Sequence, residues 1–131
     1  MYLLDTNTCI YIIKKKYDSV LRTVEKKRYK GLAISTITLS ELQFGIENSL
    51  QKEKNTIALM EFLSIIDILS FDENAAKEYG IIKTDLKKRK CLIGELDMLI
   101  AAHGKAHNLI VVTNNMNEFE RIENLKLENW V

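Results

Sequence analysis

The chain contains no proline and no long apolar run. Its 131 residues include only two cysteines, and 19 basic residues almost balance 18 acidic residues. Because no proline-, serine- or glycine-rich tract marks a linker, we expect one domain over residues 1–131. No segment approaches the ~20 apolar residues of a membrane span, and none has the layout of a secretory signal. We therefore expect a cytoplasmic protein with no membrane partner.

The few cysteines argue against a disulfide-held domain, whereas the balanced charge neither supports nor excludes binding of RNA. Cys9 and Cys91 lie in neither a CxxC nor a Cys/His ligand spacing, and small disulfide-held domains carry more cysteines. Two reduced thiols are expected. A formal net charge of +1 does not indicate a nucleic-acid binder, so any such binding depends on local patches. The basic runs that qualify are Lys14–Lys16, Lys26–Arg28 and Lys87–Lys90.

Short apolar runs alternate with longer helical patterns along the whole chain. The runs, rich in Ile, Leu and Val, predict strands over residues 2–4, 32–35, 65–71 and 109–113. Apolar residues at helical spacing predict amphipathic helices over residues 36–48, 73–90 and 98–107. Asp72 and Asp97 occupy the expected N-cap positions of the last two helices. The alternation predicts an α/β fold with right-handed crossovers and a buried parallel sheet.

Three carboxylates interrupt these patterns where strands end or helices begin. Asp5 follows the first strand, Glu41 lies in a largely apolar helix, and Asp97 precedes the apolar segment Met98–Ala102. Each has a structural alternative, because Asp5 and Asp97 also suit helix capping and Glu41 also suits a helix surface. Ligands of open parallel sheets bind outside the carboxyl ends of the strands. The three acids are therefore expected to converge there.

Converging carboxylates indicate a bound cation. They repel one another and resist ionisation unless a cation neutralises them, and Mg²⁺ prefers oxygen ligands. Zinc would favour His or Cys ligands, but His103 and His107 lack the Glu of an HExxH motif. We interpret these histidines as neighbours on one helix face. A hard divalent ion is the expected occupant of the acidic site.

Four motifs occur in order along the chain. They are Leu3–Asn7, Ser35–Leu42 with Gly45, Ile93–His103, and Val112–Asn115 followed by Phe119. This set resembles the PIN-domain nucleases, particularly the VapC-type toxins of bacterial toxin–antitoxin pairs, and spans almost the full chain. The resemblance implies a three-layer αβα sandwich with a short, mainly parallel sheet. It also implies Mg²⁺- or Mn²⁺-dependent cleavage of RNA, a homodimer, and inhibition by a small antitoxin, with a larger toxin–antitoxin assembly as a further option.

The resemblance assigns roles position by position. Asp5 and Asp97 match the principal metal-binding acids, and Glu41 matches the second acidic motif, so these three residues are the expected catalytic set. Many relatives place an Asp at the fourth position, where this chain has Asn115. Either Glu118 brings a carboxylate back to the site, or the chain uses fewer acids. One firmly bound Mg²⁺ is therefore expected, since two-metal centres need strong neutralisation.

Nearby polar and basic residues complete the prediction. Thr6, Thr113 and Asn114 are interpreted as supporting donors, with capping and turn formation as an equal alternative. The run Lys87–Lys90 is the preferred RNA contact because it is closest in sequence to the third acid. The expected function is Mg²⁺-dependent RNA hydrolysis by a toxin that a cognate antitoxin neutralises. The alternative is a catalytically weak or inactive PIN-like RNA-binding module, because Asn115 departs from the common acidic pattern.

Overall fold

A five-stranded parallel sheet forms the centre of the computed structural model, which describes residues 1–131. The strand order is β3-β2-β1-β4-β5, so the first strand of the chain lies in the middle of the sheet. The strands are β1 (Tyr2–Leu4), β2 (Leu32–Ser35), β3 (Asp67–Leu69), β4 (Ile110–Val112) and β5 (Leu127–Glu128). Because all pairs are parallel, the carboxyl ends of the strands meet at one edge.

Seven α-helices connect or follow the strands. They are α1 (Thr6–Ile13), α2 (Asp18–Lys27), α3 (Thr36–Glu47), α4 (Lys52–Leu63), α5 (Glu73–Lys88), α6 (Glu95–Ala106) and α7 (Met116–Phe119). One turn of 3-10 helix, Arg28–Lys30, leads into β2. None of the helices combines the length and apolarity needed to cross a membrane.

The two faces of the sheet bury separate apolar clusters. Successive side chains of a strand point to opposite faces. Tyr2 and Leu4 pack with residues of α1 to α4, whereas Leu3 packs with residues of α5 and α6. The result is an αβα arrangement, and the predicted three-layer sandwich is confirmed.

Gly104 allows α6 to approach β4 closely. A Cβ atom added at Gly104 would lie 2.4 Å from Cγ2 of Val111, and real Cβ contacts are not that short. A side chain at this position would therefore push the helix away from the sheet. Since α6 also carries Asp97, this contact helps to set the height of that carboxylate above the sheet edge.

Most predicted elements are present, but two predictions were wrong. The strand predicted over residues 65–71 is confined to Asp67–Leu69 and is largely exposed, because β3 is an edge strand with a neighbour on one side only. Asp97 does not cap α6, since the extended residue Gly94 takes the N-cap position and leaves Asp97 within the first turn. Asp72 caps α5 as predicted, accepting a 2.9 Å hydrogen bond from the Ala75 N–H.

Candidate metal centre and active site

Asp5 stands where β1 passes directly into α1. Its carboxylate is the N-cap of α1 and accepts a 2.9 Å hydrogen bond from the Thr8 N–H. The residue is 5% exposed. Burial raises the pKa of Asp5 above its ordinary value, against hydrogen bonds from Thr113 and Thr8 that lower it. Burial thus outweighs the capping hydrogen bond and leaves the negative charge of Asp5 poorly solvated.

Glu41 reaches the same region from α3. Its Oε1 accepts a 2.5 Å hydrogen bond from Oγ1 of Thr6, the residue that follows Asp5. Glu41 is partly buried and also lines a cavity between α1, α3 and α4. Thr6 therefore fixes one carboxylate oxygen of Glu41 beside the start of α1.

Asp97 forms hydrogen bonds with residues of the segment that follows β4. Its Oδ2 accepts a 3.2 Å hydrogen bond from Nδ2 of Asn115, and its carboxyl group also hydrogen-bonds with Glu118. Burial raises the pKa of Asp97 to about 6, and the hydrogen bond and negative charge of Glu118 and the charge of Asp5 add to the increase. Asn115 directs an N–H group, rather than its carbonyl oxygen, toward Asp97.

Glu118 brings a further carboxylate next to Asp97. The hydrogen bond with Asp97 lowers the pKa of Glu118, with further lowering from Asn115, from the Gly94 N–H and from the charge of Arg121. As the pH falls, Asp97 therefore takes up a proton before Glu118 does, and the remaining charge of the pair stays on Glu118. The approach of Glu118 follows from the short helix α7, which begins directly after Asn115.

The remaining predicted supporting residues diverge. Thr113 is buried, hydrogen-bonds with Asp5, and accepts a 2.9 Å hydrogen bond at Oγ1 from the Asn115 N–H. It therefore links the first acid to the fourth segment. Asn114 is exposed, and its side chain contacts Asn129 instead of the acids. Nothing in the sequence around Asn129 indicated that this residue would contact Asn114.

The donor set fits a hard divalent ion that completes its shell with water and substrate. No three His, Cys, Asp or Glu side chains converge closely enough to form a ready-made metal cage. The charges of Asp5, Asp97 and Glu118 nevertheless act on one another, and two of these acids have raised pKa values. All the candidate ligands are oxygens. Mg²⁺ commonly takes one or two protein carboxylates and keeps several waters, so an open site of this kind suits it.

The two histidines lie outside this site. His107 Nε2 is 2.8 Å from Oδ2 of Asp72, and the rings of His103 and His107 have centroids 5.4 Å apart. His103 is fully buried against Phe71, with no hydrogen-bond partner for either ring nitrogen. They share one helix face, as the sequence indicated.

An apolar groove opens beside Glu41. Its cavity of about 540 Å³ lies between α1, α3 and α4. The floor is largely aliphatic, and charged or polar side chains line the rim, including Lys14, Lys54 and Asn55. Among the residues of the preferred basic run, Arg89 is already engaged, donating 2.6 Å hydrogen bonds to Asp85 and to the Arg121 carbonyl. Lys14 and Lys54 line the same groove as Glu41, a predicted catalytic acid.

Comparison with known proteins identifies the family. The PIN domain matches residues 2–125. The chain belongs to the PIN-domain family. It is 44% identical to "Ribonuclease VapC2" of Rickettsia felis over 131 residues, covering 99% of this chain and 98% of that protein. It is 39% identical to "tRNA(fMet)-specific endonuclease VapC" of Salmonella typhimurium over 129 residues, covering 98% and 97%.

A solved structure agrees with this membership of the VapC group of PIN domains. The crystal structure of VapBC2 from Rickettsia felis, bound to a DNA fragment from its promoter, superposes with a TM-score of 0.94 at 44% identity. The match covers 99% of this chain and 98% of that chain. The predicted resemblance to VapC-type PIN domains is therefore confirmed.

Proposed function

We propose that this PIN domain is a ribonuclease toxin that hydrolyses RNA phosphodiester bonds and is neutralised by a cognate antitoxin. The observation that carries the proposal is that Asp97 lies within electrostatic reach of both Asp5 and Glu118 at the carboxyl ends of the strands, while Thr6 holds Glu41 beside the start of α1. The relatives named ribonuclease and endonuclease match the chain over almost its full length.

Asp5 and Asp97 would hold Mg²⁺, with Mn²⁺ as a substitute, and Glu118 would supply the charge that Asn115 does not. Such an ion supplies charge stabilisation and orientation at the scissile phosphate. Since the acids provide few protein ligands, phosphate and water oxygens would complete the shell. Asn115 keeps Asp97 in place through its amide donor.

Glu41 is the candidate to position the attacking water. Thr6 occupies Oε1 of Glu41, which leaves Oε2 to accept a proton from water directly or through a second water. Attack on the phosphorus with departure of the 3′ oxygen gives products with a 5′-phosphate and a 3′-hydroxyl, as the family resemblance implies. Lys14 and Lys54 on the groove rim, and the exposed Lys87, Lys88 and Lys90, are candidates for phosphate contacts.

The groove between α1, α3 and α4 suits the antitoxin. Its aliphatic floor would receive an apolar helix face, and Glu41 at its edge would pair with a basic side chain. An occupant of the groove would thereby neutralise a catalytic acid and obstruct the approach of RNA. The exposed side chains Phe44, Ile57 and Met60 lie on α3 and α4 and offer apolar area for the expected homodimer.

The direct test is cleavage of RNA by purified protein. We expect cleavage with Mg²⁺, none with EDTA, and none by Asp97→Asn. Asp67→Asn makes the same substitution at an exposed position at the start of β3 and should retain activity. Equal metal-dependent cleavage by Asp97→Asn would exclude the proposed site. Binding of RNA without cleavage by the wild type would instead favour an inactive RNA-binding module.

A further inference from the structure

Three consecutive residues after β4 make different side-chain contacts. Thr113 is buried and bonds with Asp5, and Asn115 donates to Asp97. Asn114, between them, is exposed and takes no part in these contacts. Adjacent Cα atoms are about 3.8 Å apart, so the backbone of Asn114 lies directly beside the two residues that bond with the acids.

A chain of hydrogen bonds determines which way the Asn114 amide is turned. The backbone N–H of Val131 donates a 3.1 Å hydrogen bond to Oδ1 of Asn129. A backbone N–H is only a donor, so the oxygen of Asn129 must face it and its Nδ2 must face away. That Nδ2 donates a 3.2 Å hydrogen bond to Oδ1 of Asn114. The Nδ2 group of Asn114 is left as an outward donor of two hydrogens.

The carboxyl-terminal segment that fixes this amide is itself anchored. The ring of Trp130 is buried and packs edge-on against Tyr2, with centroids 5.2 Å apart. Trp130 Nε1 and Lys27 Nζ both bond with Oε1 of Glu128, at 2.9 and 2.5 Å. The Thr113 N–H donates a 3.0 Å hydrogen bond to the Glu128 carbonyl. The outward amide is therefore preorganised, which reduces the entropy lost when a ligand binds to it.

We propose that Asn114 is a specificity-determining residue that donates to an acceptor on the base of an RNA nucleotide next to the scissile phosphate. This inference rests on the proposed ribonuclease function. Lysines and the metal site suit phosphates, whereas a neutral, oriented amide can distinguish donor from acceptor groups on a base edge. Bases of single-stranded RNA expose those edges. Asn129 is the positioning residue that turns the Asn114 amide outward.

The experiment compares cut-site preferences on a pool of single-stranded RNAs of random sequence, incubated with Mg²⁺ and sequenced at both new ends. Asn114→Ala removes the donor. Asn114→Asp keeps the oxygen that Asn129 contacts but presents an acceptor outward. Asn129→Asp should make Asn114 turn its Nδ2 inward. Asn117→Asp adds the same charge at an exposed position two residues beyond Asn115 and serves as the matched control.

We expect the wild type and Asn117→Asp to share one base preference at a position flanking the cut. In Asn114→Ala that preference should fall by about 3- to 10-fold, the range of a single net hydrogen bond. Asn114→Asp and Asn129→Asp should both shift preference at the same position toward bases that present donors. Agreement between these two variants, with the preference of Asn117→Asp unchanged, would identify the group presented outward, rather than added charge alone, as the cause.

Two failures can be told apart. An unchanged preference in Asn114→Ala and Asn114→Asp, with intact thermal unfolding and normal wild-type cleavage, overturns this inference alone. A preference lost equally in Asn117→Asp would also overturn it, because charge would then explain the effect. If the wild type cleaves no RNA in the pool, the proposed function fails and this inference fails with it.

Discussion

Thr6 Oγ1 donates a 2.5 Å hydrogen bond to Oε1 of Glu41, joining residues 35 positions apart in the chain. Thr6 opens α1 directly after Asp5, whereas Glu41 lies in α3. The bond thus holds Glu41, one proposed catalytic acid, beside Thr6, which directly follows Asp5, another proposed catalytic acid. The geometry of the site depends on the packing of α1 against α3 as well as on the edge of the sheet.

Thr6→Val should slow cleavage while leaving the fold intact. Valine keeps the branched shape of threonine but cannot donate to Glu41. A hydrogen bond to a charged group contributes about 1.5–3 kcal/mol, so kcat should fall by about 10- to 100-fold. Thr6→Ser retains the hydroxyl and should stay near the wild-type rate. Single-turnover cleavage at saturating Mg²⁺ measures the effect, and equal rates for Thr6→Val and the wild type would contradict it.

Asp97→Asn should stabilise the metal-free protein while abolishing cleavage. Because burial and Glu118 raise the pKa of Asp97 to about 6, the folded state holds its proton more tightly than the unfolded state. The stability contributed by that proton is therefore lost as the pH rises from about 4 through about 6. The substituted asparagine does not titrate and avoids the loss.

The expected gain from Asp97→Asn above pH 6 is about 1 kcal/mol after allowance for solvent screening, or roughly 3–5 °C in Tm. Thermal unfolding in EDTA at pH 4 and pH 8 gives the measurement. The difference in Tm between Asp97→Asn and the wild type should be small at pH 4 and should reach its full size at pH 8. A difference of the same size at both values would assign the effect to packing.

Glu118→Gln should weaken Mg²⁺ binding by removing one of the coupled charges. An affinity loss of about tenfold corresponds to 1.4 kcal/mol. Combining it with Asn115→Asp restores the number of carboxylates and should recover part of the affinity. Calorimetric titration of Mg²⁺ into the single and double variants tests this. No change in Glu118→Gln would remove that residue from the metal site.

His103 should make the protein less stable in acid. Burial, followed by the charge of His107, lowers the pKa of His103, while Asp72 acts in the opposite direction. A neutral histidine is thus favoured in the folded state, and stability is lost as the pH falls below about 6.5. His103→Leu should flatten this dependence in urea unfolding between pH 8 and pH 5. His107→Gln, at an exposed position, should retain most of it.

Gly45→Leu should separate antitoxin binding from catalysis. A Cβ atom at Gly45 meets nothing within 4 Å, and the residue lines the groove, so a leucine would fill the groove without a clash. RNA cleavage should remain, and growth arrest on induction should no longer be relieved by the small reading frame beside the gene. Gly80→Leu is the matched control, because Gly80 is also helical and equally open but lies outside the groove. Rescue of both variants alike would place the partner elsewhere.

Local signals explain what could be predicted from the chain. The alternation of apolar runs and helical spacing predicted β1, β2, β4 and the long helices, because burial imposes those periods directly. The acids stood out because they interrupt apolar surroundings. Strand β5 left no such signal: it has two residues, and its pairing with β4 depends on the register of Val111 with Leu127.

The arrangement of the fourth motif, Val112–Asn115, depends on contacts with residues that are distant in sequence. Asn114 and Asn115 are identical neighbours, yet one bonds with Asn129 and the other with Asp97. Composition cannot separate them, because only the strand direction and the carboxyl-terminal segment decide which side each faces. The sequence left two alternatives open: Glu118 supplies a carboxylate to the site, or the site has fewer acids. The hydrogen bond of Glu118 with Asp97 depends on the turn made by α7.

The central position of β1 has a consequence for folding of the protein. Asp5 follows β1, which pairs with β4, and Asp97 and Glu118 lie 92 and 113 positions further along the chain. The charges of these three residues therefore come together only when segments distant in sequence have assembled around the β1–β4 pair. A partly folded chain that lacks this pair would have no assembled acidic site and no metal-dependent activity.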